Sequence, residues 1–345
     1  MPLPSLIPQK KLDFSDVLIL PLKSKINSRN DVNPVRNIDF GSKGTWTGVP
    51  LMIANMDTTG TIEMALEAEK YQVITCLHKF YTSEDIELIK TLNPQYFAIT
   101  TGTGENDIKR LEQIVDNINC RFICIDVANG YSDRFRDACK YLRDKYPQHI
   151  LIAGNIATPD YLEELAKLNI DIVKIGIGSG SVCTTRIQTG IGFPQFSAVM
   201  ESSPVAKKLG IKIISDGGIQ NAGDIGKALC AGADFVMSGG LFSGHDQCAG
   251  DLIVENNIKY KIFYGMSSAT AMTKYEGGVR KYRSAEGKSV KIQYKGCVTN
   301  TLDHLLGGLR STLSYINCST VDEISDNQIK FIIVNNQYNR IFNNN

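Results

Sequence analysis

Eight short apolar runs recur along the chain, and the stretches between them return apolar residues every three or four positions. The runs are Leu51–Ala54, Val73–Leu77, Tyr96–Thr100, Phe122–Asp126, Ile150–Ala153, Ile172–Ile175, Lys212–Ser215 and Phe235–Met237. They are nearly continuous rather than alternating, as expected of parallel strands covered on both faces. Thr158-Pro-Asp-Tyr-Leu-Glu-Glu-Leu-Ala-Lys-Leu168 reads as a helix, with a threonine cap and proline at its first position. Ser83-Glu-Asp-Ile-Glu-Leu-Ile-Lys90 opens the same way. Strand-then-helix units in this number predict a closed (β/α)8 TIM barrel, because each parallel crossover needs its own covering helix. An open doubly wound sheet is the alternative. It usually has fewer strands and carries its phosphate signature after the first one.

Two segments depart from a plain barrel. A leader of about fifty residues, by comparison with the barrel layout, precedes the first strand. The eighth helix is delayed until about Leu302–Asn317, and the intervening 241–300 segment is polar, charged and glycine-rich. It is too long for a simple connection and would lie at the catalytic face, as a lid or substrate loop. The expectation is one barrel domain over 1–345, with 241–300 as a flap within it and the asparagine-rich tail 335–345 frayed.

Thirty-seven basic against 36 acidic residues give a net charge of +1, so there is no electrostatic footprint for nucleic acid. Anions would have to be held by local backbone nests and helix N-termini. No apolar run reaches the roughly 18 residues of a membrane span, and the proline-rich start has no signal-peptide core. The nine cysteines are dispersed without a C-x-x-C pair, which suits reduced thiols in the cytoplasm rather than disulfides or a zinc site. His78, His149, His245 and His304 show no spacing for a transition metal.

One cysteine differs from the rest. Cys183 lies in Gly176-Ile-Gly-Ser-Gly-Ser-Val-Cys183-Thr-Thr185-Arg186, directly after the sixth run. Glycines let a loop take positive φ and approach a ligand closely, so this thiol is placed like a nucleophile. Backbone N–H groups, Arg186 or a bound cation could depress its pKa. A structural thiol and a redox or metal thiol are the competing readings. Ser215-Asp216-Gly217-Gly218 and Ser238-Gly239-Gly240 end the seventh and eighth runs, where barrels commonly bind phosphate. Asp216 there suits ribose hydroxyls. Glu286 is either a solvated carboxylate or, if the excursion folds over the mouth, a proton-relay partner for Thr185. Lys79 follows the second strand, within reach of an anionic ligand.

These residues resemble the IMP dehydrogenase/GMP reductase family, and most closely its reductase members. The carrying segments are Ala54-Asn-Met-Asp57, Asp126-Val-Ala-Asn-Gly-Tyr131, Ala153-Gly-Asn155, Gly180-Ser-Val-Cys-Thr-Thr-Arg186, Ser215-Asp-Gly-Gly218, Gly265-Met-Ser-Ser268 and Glu286-Gly287. No insert the size of a small domain follows the second strand. Tyr264-Gly-Met-Ser-Ser268 has the reductase form. The excursion is too short for the dehydrogenase's water-activating flap, a device that a reductase must lack to protect its adduct. The alternatives are an IMP dehydrogenase that oxidises IMP with NAD, a flavin-dependent barrel oxidoreductase and a non-catalytic nucleotide sensor.

The resemblance implies NADPH-dependent conversion of GMP to IMP and ammonia through a Cys183 thioimidate, with Thr185 and Glu286 moving protons. It implies that GMP is held by Asp216, Gly217, Gly218, Gly239, Gly240, Gly265, Met266 and Ser267, together with Arg283, Ser284, Ala285, Glu286 and Gly287. Carbonyls of Gly178, Gly180 and Cys183 would hold a monovalent cation such as potassium. Lys79, Asp126, Val127, Ala128, Ile177 and Gly178 would line the cofactor site. Ser28, Arg29, Ser311, Thr312, Leu313 and Ser314 would reach that site from a neighbouring subunit of a homotetramer. Ser179 stands where many relatives have proline, which is expected to loosen the nucleophile loop. Ser284-Ala285 reverses the usual alanine-serine order.

Overall fold

In the computed structural model, which describes residues 9–334, each of the eight apolar runs is a barrel strand. These are β1 (Leu51–Ile53), β2 (Ile74–Leu77), β3 (Phe97–Thr101), β4 (Phe122–Asp126), β5 (Ile150–Ile156), β6 (Ile172–Ile175), β7 (Lys212–Asp216) and β8 (Phe235–Ser238). All neighbours are parallel, and β8 pairs with β1 to close the ring. The predicted (β/α)8 barrel is therefore the observed fold. The tail 335–345 lies outside the described residues.

The covering helices are α1 (Ile62–Ala68), α2 (Ile86–Ile89), α3 (Glu105–Val115), α4 (Asp133–Lys145), α5 (Leu162–Lys167), α6 (Gln195–Leu209), α7 (Ala222–Cys230) and α8 (Val298–Tyr315). Their starts differ in detail from the sequence expectation. The cap before α2 is Thr82 rather than Ser83, and it accepts the Glu84 amide while Asp85 accepts the Thr82 amide. Before α5 a 3-10 turn follows Thr158, whose hydroxyl pairs with the Tyr131 phenol at 2.9 Å instead of capping. α8 begins at Val298, before the expected Leu302.

The strands bury both faces. Outward side chains pack beneath the helices, and inward ones such as Met52, Ile74, Phe122, Ile152, Ile172 and Phe235 fill the barrel. The leader closes the end of the barrel where the strands begin. Its hairpin pairs Arg36–Asp39 with Thr45–Gly48, and places a fully buried Trp46 with its ring centroid 5.0 Å from that of Phe235. The Trp46 indole N–H donates to Gln95 O at 2.9 Å, so its one polar atom is satisfied. Farther back, Val17–Ile19 pairs with Phe331–Ile333, and Phe14 packs edge-on against Phe196.

The excursion is more regular than its composition suggests. Ile253–Glu255, Ile258–Tyr264 and Ser289–Gln293 form an antiparallel three-stranded sheet, and Ala269–Glu276 is a helix between the second and third strands. Among the described residues, no helix is long and apolar enough to cross a membrane.

Removing the Trp46 side chain leaves a cavity at the closed end of the barrel. Trp46→Ala is expected to destabilise the fold by about 3–5 kcal/mol in urea unfolding. A loss below about 1 kcal/mol would show that the hairpin does not complete the inner core.

Candidate active site

The C-terminal ends of the strands surround a cavity of about 250 Å³. Its floor is the loop after β6. Gly178 in that loop has φ +78°, and a Cβ there would sit 2.6 Å from Arg186 Cγ, so only glycine lets the arginine stem cross beneath. Arg186 is fixed from the other side, with Nη1 3.2 Å from Asp13 Oδ2 in the leader and Nη2 donating to Phe193 O at 2.6 Å. Ser179 Oγ donates to Asp216 O at 2.8 Å, a tie that proline could not make. The serine therefore anchors the loop to the end of β7.

The excursion covers this loop and pairs with it. Thr184 N donates to Glu286 O at 2.8 Å and Lys288 N to Val182 O at 2.9 Å, which places Gly287 opposite Cys183. That backbone register brings three side chains into line. The Cys183 thiol donates to Thr185 Oγ1 at 3.2 Å, and the Thr185 hydroxyl donates to Glu286 Oε2 at 2.8 Å. Cys183 is half-buried at the cavity wall. Two connected hydrogen bonds from a thiol to a carboxylate form a path by which the thiol proton can leave and later return.

Behind this chain lies a buried charge that the apolar reading of β6 conceals. Lys174 is fully buried, ion-paired to Asp126 and 3.9 Å from Asp216 Oδ2. Asn155 completes the group by donating to both Gly176 O and Asp216 Oδ2 at 2.8 Å. Burial alone would lower the Lys174 pKa, but Asp126, then Cys124 and Asp216, outweigh it and hold the ammonium above its ordinary value. Burial pushes Asp126 up, yet Lys174 dominates and keeps it below the usual carboxylate range. For Asp216 burial prevails over Lys174, and that carboxyl is raised. One buried cation thus keeps Asp126 ionised at the mouth.

Most of the residues that the sequence singled out line this one cavity. They are Cys183, Thr185, Glu286, Asp216, Gly217, Gly218, Gly239, Gly240, Gly265, Met266, Ser267, Asp126, Val127, Ala128, Ile177, Gly178 and Gly180. Gly287 lies just behind, against Gly265. Arg283, Ser284 and Ala285 lead from the turn at 281–282 to Glu286, outside the lining. Lys79 sits beside the mouth, 3.3 Å from Asp107. The remaining candidates lie elsewhere on the chain. Ser28, Arg29 and Ser314 line a separate surface hollow with Tyr315. Ser311 bonds back to Gly307 O, Thr312 packs against Gly226, and Leu313 is fully buried in the core.

Sequence reasoning passed over Lys174 and assigned no role to Asn155, Asp13 or Gln195. A lysine inside an otherwise continuous buried strand was the available signal for the first. Gln195 is fully buried, and its side-chain amide donates to Ile175 O at 2.7 Å while its backbone N–H donates to Asp13 Oδ1 at 2.6 Å. Among the described residues, no group of three or more His, Cys, Asp or Glu side chains could hold a metal ion.

A family model described as IMP dehydrogenase / GMP reductase domain matches residues 11–339. GMP reductase 1 of Mus musculus is 48% identical over 337 residues, covering 96% of this chain and 97% of its own. GMP reductase of Phytophthora infestans is 47% identical over 345 residues, covering 99% and 95%. GMP reductase of Klebsiella pneumoniae is 46% identical over 344 residues, covering 96% and 97%.

Lys174→Met would leave Asp126 and Asp216 without their shared cation. The expected loss is about 3 kcal/mol in urea unfolding. Adding Asp126→Asn should recover at least half of it, and simple addition of the two losses would contradict the electrostatic account.

Proposed function

This chain belongs to the IMP dehydrogenase/GMP reductase family, and we propose that it catalyses the NADPH-dependent reductive deamination of GMP to IMP and ammonia. The observation that carries this reading is the hydrogen-bonded line Cys183–Thr185–Glu286 at the wall of the mouth cavity.

In the first step the Cys183 proton passes through Thr185 to Glu286, and the thiolate adds to purine C2. The same path then runs in reverse. Glu286 returns the proton through Thr185 to the 2-amino group, the C2–N bond breaks, and ammonia leaves a thioimidate on Cys183. Dividing an amine displacement between addition and departure is what covalent catalysis achieves. NADPH, when bound, supplies the hydride that C2 receives. The C2–S bond then breaks with its electron pair returning to sulfur, which gives IMP and a Cys183 thiolate, and a proton taken up from solvent through Glu286 and Thr185 restores the thiol. The excursion lying over the loop keeps water from the thioimidate.

The Gly217 amide already donates to Met237 O at 3.2 Å, so we assign the nucleotide phosphate to Gly218 and the Gly239-Gly240 turn. Asp216 and the Gly265–Ser267 segment would hold the ribose and base. For the cofactor, the Asp126 side chain is 33% exposed whereas Lys174 behind it is 1% exposed. An ionised oxygen therefore faces the space that a nicotinamide amide would enter, beside Val127, Ala128 and Ile177. Lys79 would stand at the edge of that site. Ser28, Arg29, Ser311, Thr312 and Ser314 lie away from the mouth of their own chain, which supports their reaching a neighbour's cofactor in a homotetramer, whereas Leu313 is fully buried in its own core and does not reach one. The Arg29 fork suits the NADPH phosphate. The carbonyls of Gly178, Gly180 and Cys183 are neutral oxygens on one loop, whose end is closed by Cys183 N donating to Gly180 O at 3.0 Å, and that chemistry suits potassium. The unpaired thiols of all nine cysteines support a reducing, cytoplasmic setting.

Supplied with GMP and NADPH, the protein should consume NADPH and release ammonia, whereas IMP with NAD should give no comparable turnover. Cys183→Ser should lower kcat by about 10³-fold or more, and Thr185→Val or Glu286→Gln by about 10²-fold, because the relay moves the proton that the leaving amine requires. A Cys183→Ser enzyme with an undiminished rate would refute the mechanism, and turnover of IMP with NAD alone would refute the direction.

A further inference from the structure

A further carboxylate, this one buried, lies beside the mouth and outside the chemistry above. Asp57 follows β1 and is 1% exposed. One of its oxygens, Oδ2, receives three donors: Tyr264 OH at 2.5 Å, Tyr275 OH at 2.7 Å and Lys274 Nζ at 3.0 Å. All three come from the excursion. They flank the Gly265–Ser268 segment, whose backbone holds the relay strand: Glu286 N donates to Ser267 O at 2.9 Å and Gly265 N to Lys288 O at 3.2 Å. Asp57 also reaches that segment directly, its amide donating to Met266 Sδ at 3.4 Å. On the far side the Tyr275 ring stacks flat on Phe80, with centroids 3.5 Å apart and planes 3° from parallel.

We propose that Asp57 is a positioning residue for the proton relay, clasping Tyr264, Lys274 and Tyr275 so that the Gly265–Ser268 segment seats Glu286 at hydrogen-bond distance from Thr185. A buried carboxylate is a strong acceptor, and three donors from one segment converging on a single oxygen fix that segment more tightly than one contact would. Without the clasp, the excursion would still be joined to the barrel through the Val182–Thr184 pairing, but the turn carrying Met266 and Ser267 would lose its anchor to β1. Burial and then the nearby carboxylate raise both tyrosine pKa values, so each phenol stays a donor at neutral pH. The catalytic part of this inference rests on the relay proposed above, whereas the anchoring part does not.

Two measurements on the full-length enzyme keep these parts separate. Hydrogen exchange reports the anchor without any turnover. In Asp57→Asn, the amides of Glu286 and Gly265, which join the relay segment to the Gly265–Ser268 segment, should exchange about 10-fold faster or more, while those of β4 and β5 stay unchanged. Unchanged exchange at Glu286 and Gly265 would overturn the clasp. Kinetics report the coupling: kcat for GMP should fall on the order of 30-fold in Asp57→Asn, but by no more than about 2-fold when the same change is made in a Glu286→Gln background. Losses that multiply in the double variant would show that Asp57 acts only through general stability and would overturn its positioning role. If Asp57→Asn fails to fold, Tyr275→Phe removes a single donor and should show the same pattern at about 5-fold in each readout, with no change in either again refuting the clasp.

Discussion

Everything at the mouth depends on one short backbone pairing between segments about a hundred residues apart in sequence. The loop Val182–Thr184 and the strand Glu286–Lys288 exchange two hydrogen bonds, of 2.8 and 2.9 Å. Neither segment could place a thiol, a hydroxyl and a carboxylate in line alone. The register decides the chemistry, since a one-residue slip would turn Glu286 away from Thr185. Each partner is in turn held by something rigid. The loop is fixed by the glycines that admit Arg186 and by the Ser179 tie to β7. The strand is fixed by the sheet formed within the excursion.

The barrel contributes electrostatics as well as a frame. Lys174 is fully buried on a barrel strand, which is tolerable only because Asp126 and Asp216 converge on it from β4 and β7. The three residues share a charge balance that fixes the orientation of the two carboxylates at the cavity. A neutral residue at 174 would fill the barrel equally well and leave those carboxylates disordered in protonation and in direction. The proposed nucleophile, the proposed relay and the carboxylate pair thus form adjoining but separately supported parts of one site.

The barrel was legible in the sequence because strands buried on both faces leave continuous apolar runs, and all eight are present. Cys183 was legible because a cysteine after three glycines and two serines at a strand end has little packing reason to be there. What stayed hidden required contacts over long separations. The partners of Asp57 are more than two hundred positions away, and nothing near Glu286 distinguishes it from a solvated carboxylate. Lys174 was absorbed into the hydrophobic run that surrounds it. The excursion's sheet had a readable signal: Ile258-Lys-Tyr-Lys-Ile262 and Ser289-Val-Lys-Ile-Gln293 alternate with period two, but their charge and the glycines around them suggested loop. In the leader, Trp46 sits on a hairpin whose value appears only when the open end of the barrel is in view.

The central claim is that this pairing holds the Cys183 sulfur against a purine base. A crystal structure of the protein with GMP bound and NADPH omitted tests it most directly. The account predicts the sulfur within about 3.5 Å of the base carbon that bears the amino group, with Thr185 and Glu286 still hydrogen-bonded behind it. Electron density showing the sulfur turned from the ring and beyond bonding reach would contradict it.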